Sequence, residues 1–205
     1  MPKPRFLTIF FLVFGLLTET VISPKTSLAS IVVDGDPSDW VDISPILQDA
    51  REGFPFPDNG GWDILKVSVT NDADHVFFLF EFDPSSISSQ LDDGFLVDLD
   101  TDQNPSTGCV KNIGDVFGSF STIGTEALLL SLPYNQAFGS TINDFRSCGG
   151  IRIDFPGALQ VAASGAFVEV AISLEALKFL TPNLTGFDMV VRSGGDVTNK
   201  GSYTL

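Results

Sequence analysis

The sequence has 205 residues and a formal net charge of −15 at pH 7, with 26 acidic residues against 11 lysines and arginines. A surface this acidic is repelled by phosphate groups, so we expect neither a nucleic acid nor an anionic membrane surface as the partner. The length suits a single domain with a sizeable core.

Residues 1–29 are typical of a cleavable signal peptide. Lys3 and Arg5 precede an apolar run of about 12 residues, which is short of the ~20 that a membrane-spanning helix needs. Ser27-Leu28-Ala29 supplies the small residues that signal peptidase recognises, so cleavage is expected after Ala29. An uncleaved anchor is the alternative. We therefore predict a secreted or extracytoplasmic protein (periplasm or cell surface) without membrane insertion after cleavage, and one domain over residues 30–205.

Apolar residues beyond the signal recur with period two, in short runs separated by Gly, Pro, Asn and Asp, which is typical of β-strands. The predicted strands are Ile31–Val33, Ile64–Thr70, His75–Phe82, Gly94–Asp100, Val116–Ser121, Ala127–Leu132, Gly150–Phe155, Leu159–Ala163, Ala166–Ile172 and Phe187–Arg192. Asn71–Asp74 and Ser164-Gly165 are predicted hairpin turns. Only Ser173–Leu180 is predicted to be helical, with Ser173 as N-cap. This pattern predicts an all-β fold, an antiparallel β-sandwich of jelly-roll-like type with one short helix.

Phenylalanine is frequent, with 19 in the chain. Phe77, Phe78, Phe80 and Phe82 fall in one predicted strand, where large aromatic side chains favour a buried, pleated surface. We expect most of them to lie in the core.

The densest cluster of oxygen ligands runs from Asp98 through Asp100, Asp102 and Asn104, and Asp115 follows it. Calcium takes six to eight oxygen ligands, and acids brought together without a cation repel one another. The spacing resembles the first half of an EF-hand loop but lacks its turning glycine, its final glutamate and its helices. We predict a structural Ca²⁺ site with these five residues as ligands, and a solvated acidic turn is the alternative.

Cys109 and Cys148 are the two cysteines of the chain. In an exported protein such a pair favours a disulfide over a metal or redox site. We predict that they are bonded to each other.

Several of these motifs together resemble the family 9 carbohydrate-binding module-like β-sandwich. They are Ile31-Val32-Val33-Asp34-Gly35 with Ser38-Asp39-Trp40, the Phe77–Phe82 strand, Asp100-x-Asp102-x-Asn104-x-x-Thr107-Gly108, and Gly114-Asp115. The resemblance spans most of residues 30–205 and implies an exported jelly-roll-type domain with structural calcium, often attached to glycan-active enzymes or surface proteins. It also implies that the opening motif is mainly structural and that the acidic motif is the metal loop.

Sugar-binding members of that family hold their ligand between two tryptophans, and this chain has only Trp40 and Trp62. Trp40 belongs to the structural opening motif, which leaves Trp62 as the one tryptophan available for ligand contact. Trp62 follows Gly60-Gly61 in a loop rich in Phe and Pro, where an exposed ring could stack on a sugar. We therefore assign ligand contact to Trp62, with a core cap or loop anchor as the alternative.

The motifs of common enzyme classes are absent from the sequence. No Gly-x-Ser-x-Gly, His-Glu-x-x-His or phosphate-binding glycine loop occurs, and His75 is the sole histidine. We expect a non-catalytic module that binds a glycan or a cell-surface partner, and a purely structural or adhesive domain is the alternative. A haem-binding DOMON-type domain would need axial ligands, for which only His75 and Met189 are available beyond the signal.

Overall fold

The computed structural model describes residues 30–51, 62–87, 94–109, 123–132, 141–147, 151–153, 157–193 and 196–205. The predicted signal peptide and the predicted strand Val116–Ser121 lie outside these ranges. Within them the chain forms strands β1 (Pro45–Gln48), β2 (Ile64–Asn71), β3 (His75–Phe82), β4 (Phe95–Asp100), β5 (Ala127–Leu132), β6 (Thr141–Asp144), β7 (Ile151–Arg152), β8 (Leu159–Ser164), β9 (Phe167–Ser173), β10 (Gly186–Ser193), β11 (Asp196–Val197) and β12 (Gly201–Thr204). Helix α1 (Leu174–Leu180) and a short 3-10 helix (Pro37–Trp40) complete the described elements.

The strands form two antiparallel sheets. One has the order β1-β2-β3-β9-β8, and the other has the order β11-β10-β4-β5-β6-β7 with β12 also paired to β10. The predicted all-β antiparallel sandwich with one short helix is thereby confirmed, as are both hairpins, β2–β3 and β8–β9.

The main core lies between the two sheets. Alternate residues of β3 contribute Phe78, Phe80 and Phe82, which are fully buried. Phe95 at the start of β4 meets Phe80 and Phe82 from the opposite sheet, with ring centroids 4.6 and 5.0 Å apart. Because side chains alternate across a strand, the intervening Phe77 and Leu79 face the other way. The expectation that the phenylalanines build a core is confirmed for these residues.

A second, smaller core covers the outer face of the five-stranded sheet. Ile31 and Trp40 from the N-terminal segment pack there against Phe77 and Leu79. The prediction of a strand at Ile31–Val33 is wrong, because this segment packs across the sheet face through its side chains and pairs with none of the described strands.

Helix α1 begins and ends where predicted. The Ser173 hydroxyl accepts a hydrogen bond from the Ala176 N–H at 3.3 Å, which caps the helix, and Leu174, Ala176 and Leu177 bury one face against the core. None of the helices in the described part of the chain combines the length and apolar character that a membrane crossing requires.

Candidate metal centre

Three carboxylates converge where β4 ends and β5 begins. Oxygens of Asp100, Asp102 and Glu126 all lie within 4.8 Å of one another. Asp100 and Glu126 are buried, with 0% and 3% of their surface exposed, while Asp102 is exposed. The cluster therefore has two buried carboxylates and one that faces solvent.

The two arms of the β4–β5 connection close around this centre. Cys109 and Thr125 form an antiparallel bridge, with N···O distances of 2.9 and 3.2 Å. The N–H of Glu126 donates to the carbonyl of Leu99 at 3.0 Å, which places Glu126 beside the end of β4. The acids are thus brought together by backbone pairing.

In each of the two buried carboxylates, one oxygen accepts a hydrogen bond from a backbone N–H. Asp100 Oδ1 accepts from the Asn104 N–H at 3.0 Å, and Glu126 Oε2 accepts from the Thr101 N–H at 2.8 Å. The other oxygens, Asp100 Oδ2 and Glu126 Oε1, are buried and have no hydrogen-bond partner in the described part of the chain. Such unpartnered buried acceptors are rare in folded proteins because each one costs desolvation energy.

A glycine makes room for one of these oxygens. Gly108 has φ +60°, and a Cβ there would lie 2.3 Å from Glu126 Oε1 and 2.7 Å from the Thr125 carbonyl oxygen. Any side chain at this position would displace the carboxylate. The glycine therefore permits the close approach of Glu126 to the loop.

Burial and mutual repulsion make the two buried acids hard to ionise. The pKa of Glu126 is raised to about 7, first by burial and then by the charges of Asp102 and Asp100. The pKa of Asp100 is raised to about 6, first by burial and further by its acidic neighbours Asp102 and Asp188. A bound divalent cation would offset both effects.

The acidic loop is organised internally around Asp102 and Asn104. Asp102 Oδ1 accepts from the Asn104 N–H at 3.0 Å, and the Thr107 hydroxyl donates to Asp102 Oδ2 at 2.9 Å. The side-chain oxygen of Asn104 accepts from the Ser106 N–H at 3.2 Å. Asn104 therefore shapes the loop with its backbone, and its side chain holds the following turn.

Asp98 is engaged away from this centre. Its oxygens accept from Arg192 Nε at 2.6 Å and from Arg192 Nη2 at 2.9 Å, and Thr125 Oγ1 lies 3.4 Å from Oδ1. Both side chains are buried, at 0% and 2% exposure. Our assignment of Asp98 as a metal ligand is therefore corrected to a buried ion pair. Asp115 lies outside the described residues, so its assignment stays a prediction.

Glu126 is the ligand candidate that the sequence analysis missed. It stands 26 residues after Asp100 and outside the alternating acidic run. Its position directly before the strand Ala127–Leu132 could have identified it. The start of that strand pairs with the end of β4, where Leu99 lies opposite Ala127. An antiparallel pairing of those two strands would have predicted the contact.

Trp62 is a core residue. It is 3% exposed, and its ring makes an edge contact with Phe82 at a centroid distance of 5.0 Å and a tilted contact with Phe95 at 6.4 Å. Stacking on a sugar requires an exposed ring face, so the assignment of ligand contact to Trp62 is corrected in favour of the core alternative.

The opening motif around Asp34-Gly35 and Trp40 is held by a residue far along the chain. The fully buried Glu169 of β9 accepts from the N–H groups of Asp34 and Gly35 at 2.9 and 2.6 Å, and from Trp40 Nε1 at 2.7 Å. Gly35 has φ +88°, and a Cβ there would lie 3.0 Å from the Ala163 carbonyl carbon. The motif therefore attaches the N-terminal segment to the sheet.

The predicted disulfide and the haem alternative involve residues elsewhere in the fold. Cys109 is buried beside the acidic loop, and Cys148 lies outside the described residues, so their bond stays a prediction. Met189 is fully buried in the core between the sheets, whereas His75 lines a surface cleft.

Neither the comparison with protein-family models nor the comparison with curated proteins gives a match.

Proposed function

We propose that this protein is an exported, non-catalytic β-sandwich that Ca²⁺ stabilises and that serves as a glycan-binding or cell-surface interaction module. The observation that carries the calcium part is the pair of buried, unpartnered oxygens, Asp100 Oδ2 and Glu126 Oε1, beside the exposed carboxylate of Asp102. A hard cation supplies the interaction that the described protein groups leave unmade.

Calcium fits this centre better than magnesium. The candidate ligands come from two loop arms, and Ca²⁺ accepts six to eight oxygens in flexible geometry, whereas Mg²⁺ demands a near-ideal octahedron. Water molecules and further oxygens of the loop would complete the shell around Asp100, Asp102 and Glu126.

Because Trp62 is buried, a glycan would have to bind at a surface other than a tryptophan clamp. The burial of Trp62 is equally consistent with the alternative, a purely structural or adhesive surface domain without a small ligand. Selective binding of an oligosaccharide separates the two, because only an interaction module of the first kind predicts it.

Thermal unfolding with and without calcium tests the metal site. If only the folded state binds, calcium at 100 times its dissociation constant adds about 2.7 kcal/mol, which corresponds to a rise in Tm of roughly 5–10 °C for a domain of this size. The Asp100→Asn, Asp102→Asn double variant should lose this response. Asp42→Asn, which alters an exposed acid outside the centre, should keep it. An unchanged melting curve in chelator, together with no calcium in metal analysis of the purified protein, would refute the proposal.

A further inference from the structure

A surface cleft of about 770 Å³ lies beside helix α1 on the five-stranded sheet. Three separate elements line it: the β2–β3 turn, strand β8 and the outer face of the helix. The side chains that matter for its chemistry are Asp74, His75, Gln160, Glu175, Lys178 and Phe179. A cleft of this volume is within the usual range for small-ligand sites.

The polar side chains of the cleft are available to a ligand. The side chains of Asp74, Gln160, Glu175 and Lys178 make no hydrogen bond or ion pair in the part of the chain that the structure describes. They offer both acceptors and donors, since the carboxylates accept, the ammonium group donates and the amide does both.

An aromatic ring lies among these polar groups. Phe179 is 54% exposed, and it follows Glu175 by four residues, which places these two side chains on one face of α1. The guanidinium carbon of Arg146 lies 5.8 Å from the centroid of the Phe179 ring. Arg146 is itself fixed by Asp144, whose Oδ2 accepts from Nη2 at 2.6 Å. The cation–π contact therefore orients the ring.

The walls of the cleft are tied together by backbone and turn hydrogen bonds. The Leu174 N–H donates to the Asp74 carbonyl at 2.7 Å and so joins the β2–β3 turn to the start of the helix. Asp72 Oδ1 accepts from the N–H groups of Asp74 and His75 at 2.8 and 2.7 Å, which stabilises the turn. The cleft is thus preformed, which lowers the entropic cost of binding.

We propose that this cleft binds a neutral oligosaccharide, with a sugar ring on Phe179 and its hydroxyls on Gln160, Glu175 and Asp74. A sugar presents an apolar C–H face and a rim of hydroxyls that both donate and accept, which matches an exposed ring surrounded by mixed polar groups. The two carboxylates are matched by two cations, Lys178 and the Arg146 guanidinium over the Phe179 ring, so the cleft favours neither a strongly anionic nor a strongly cationic ligand. This inference rests on the interaction-module part of the proposed function and does not depend on calcium.

Binding to an array of immobilised neutral hexasaccharides of glucose, xylose and mannose tests the site, with heparin and a lysine-rich peptide as charged probes. We expect selective binding of at least one neutral hexasaccharide, weakened about tenfold or more in Phe179→Ala and several-fold in Gln160→Ala. Val41→Ala, which truncates another exposed apolar side chain at 80% exposure, should bind within about twofold of the wild type. Because Phe179 and Val41 are both exposed, both variants should fold, which melting curves will verify.

The cleft assignment is overturned if no neutral hexasaccharide binds, if a charged probe binds in preference, or if Phe179→Ala binds like the wild type. The assay is run in calcium and in chelator below the melting temperature. Binding without any calcium effect on stability contradicts the metal centre and supports the cleft. A calcium effect without binding supports the metal centre and overturns the cleft.

Discussion

Replacing Glu126 with glutamine should have opposite effects in chelator and in calcium. The substitution keeps the shape of the side chain and an oxygen acceptor for the Thr101 N–H, but it removes a buried negative charge. In chelator that charge only repels Asp100 and Asp102. In calcium, on the proposed function, it is a ligand. The sign of the effect should therefore depend on the cation.

The magnitude in chelator follows from the raised pKa of Glu126, about 7 in the fold against 4.5 for an unperturbed glutamate. A folded state that holds its proton more tightly than the unfolded state loses stability as the pH rises. The loss begins near pH 4.5, is complete above pH 7 and amounts to on the order of 3 kcal/mol for this group. Asp100, with a pKa of about 6 instead of 3.8, adds a loss of the same sign over pH 4 to 6. Glutamine has no proton to lose, so Glu126→Gln should match the wild type at pH 5 and exceed it by about 1–3 kcal/mol at pH 8.

Denaturant unfolding at pH 5 and pH 8, each in chelator and in calcium, measures these effects. At pH 8 the increase in the free energy of unfolding on adding calcium should be smaller in Glu126→Gln by about 1.4 kcal/mol or more, since a lost carboxylate ligand weakens binding at least tenfold. Glu81→Gln is the matched control, because Glu81 pairs with Lys66 on β2, outside the metal centre. A Glu126→Gln protein that is less stable than the wild type in chelator at pH 8, with an undiminished calcium response, would refute the reasoning.

Three other predictions concern the framework around the centre. Asp98→Asn leaves the buried Arg192 charge uncompensated and should lower the free energy of unfolding by about 3–5 kcal/mol, and a loss below about 1 kcal/mol in denaturant titration would contradict the buried ion pair. Glu169→Ala removes three hydrogen bonds to the N-terminal segment, so amide hydrogen exchange in residues 31–40 should accelerate much more than exchange in the sheets. An equal change in both regions would show that Glu169 does not anchor the segment. A Cys109–Cys148 bond would close a loop of about 40 residues and should contribute ~4 kcal/mol to the free energy of unfolding, and two free thiols in protein purified without reductant would disprove it.

The run of large apolar residues in β3 made its core role predictable from the sequence. Residues 76–80 are all apolar, which is typical of a strand buried on both faces, and the turn residues Asn71–Asp74 mark where the chain reverses. The same holds for α1, whose cap is encoded by Ser173 and its immediate neighbours. By contrast, β1 and β11 have four and two residues and carry no periodic signal, so only pairing with β2 and β10 reveals them.

The candidate site also has a part that the sequence predicted and a part that it did not. The spacing of the acids in the loop identified Asp100 and Asp102 as candidate ligands from the sequence alone. Asp98 belongs to the same alternation, yet it faces a buried arginine that stands 94 residues later.

The order of residues along the chain does not show which distant residue contacts each acid, because those contacts depend on how the strands pair. Glu126 reaches Asp100 because β5 starts where β4 ends. Trp62 is buried between Phe82 of the neighbouring strand β3 and Phe95 of the opposite sheet. Local patterns of polarity and spacing therefore determined the long strands, the helix and the acidic loop. The partner of each charge and the burial of each aromatic ring were decided by the tertiary structure, because burial and ion pairing arise from contacts between residues distant in sequence.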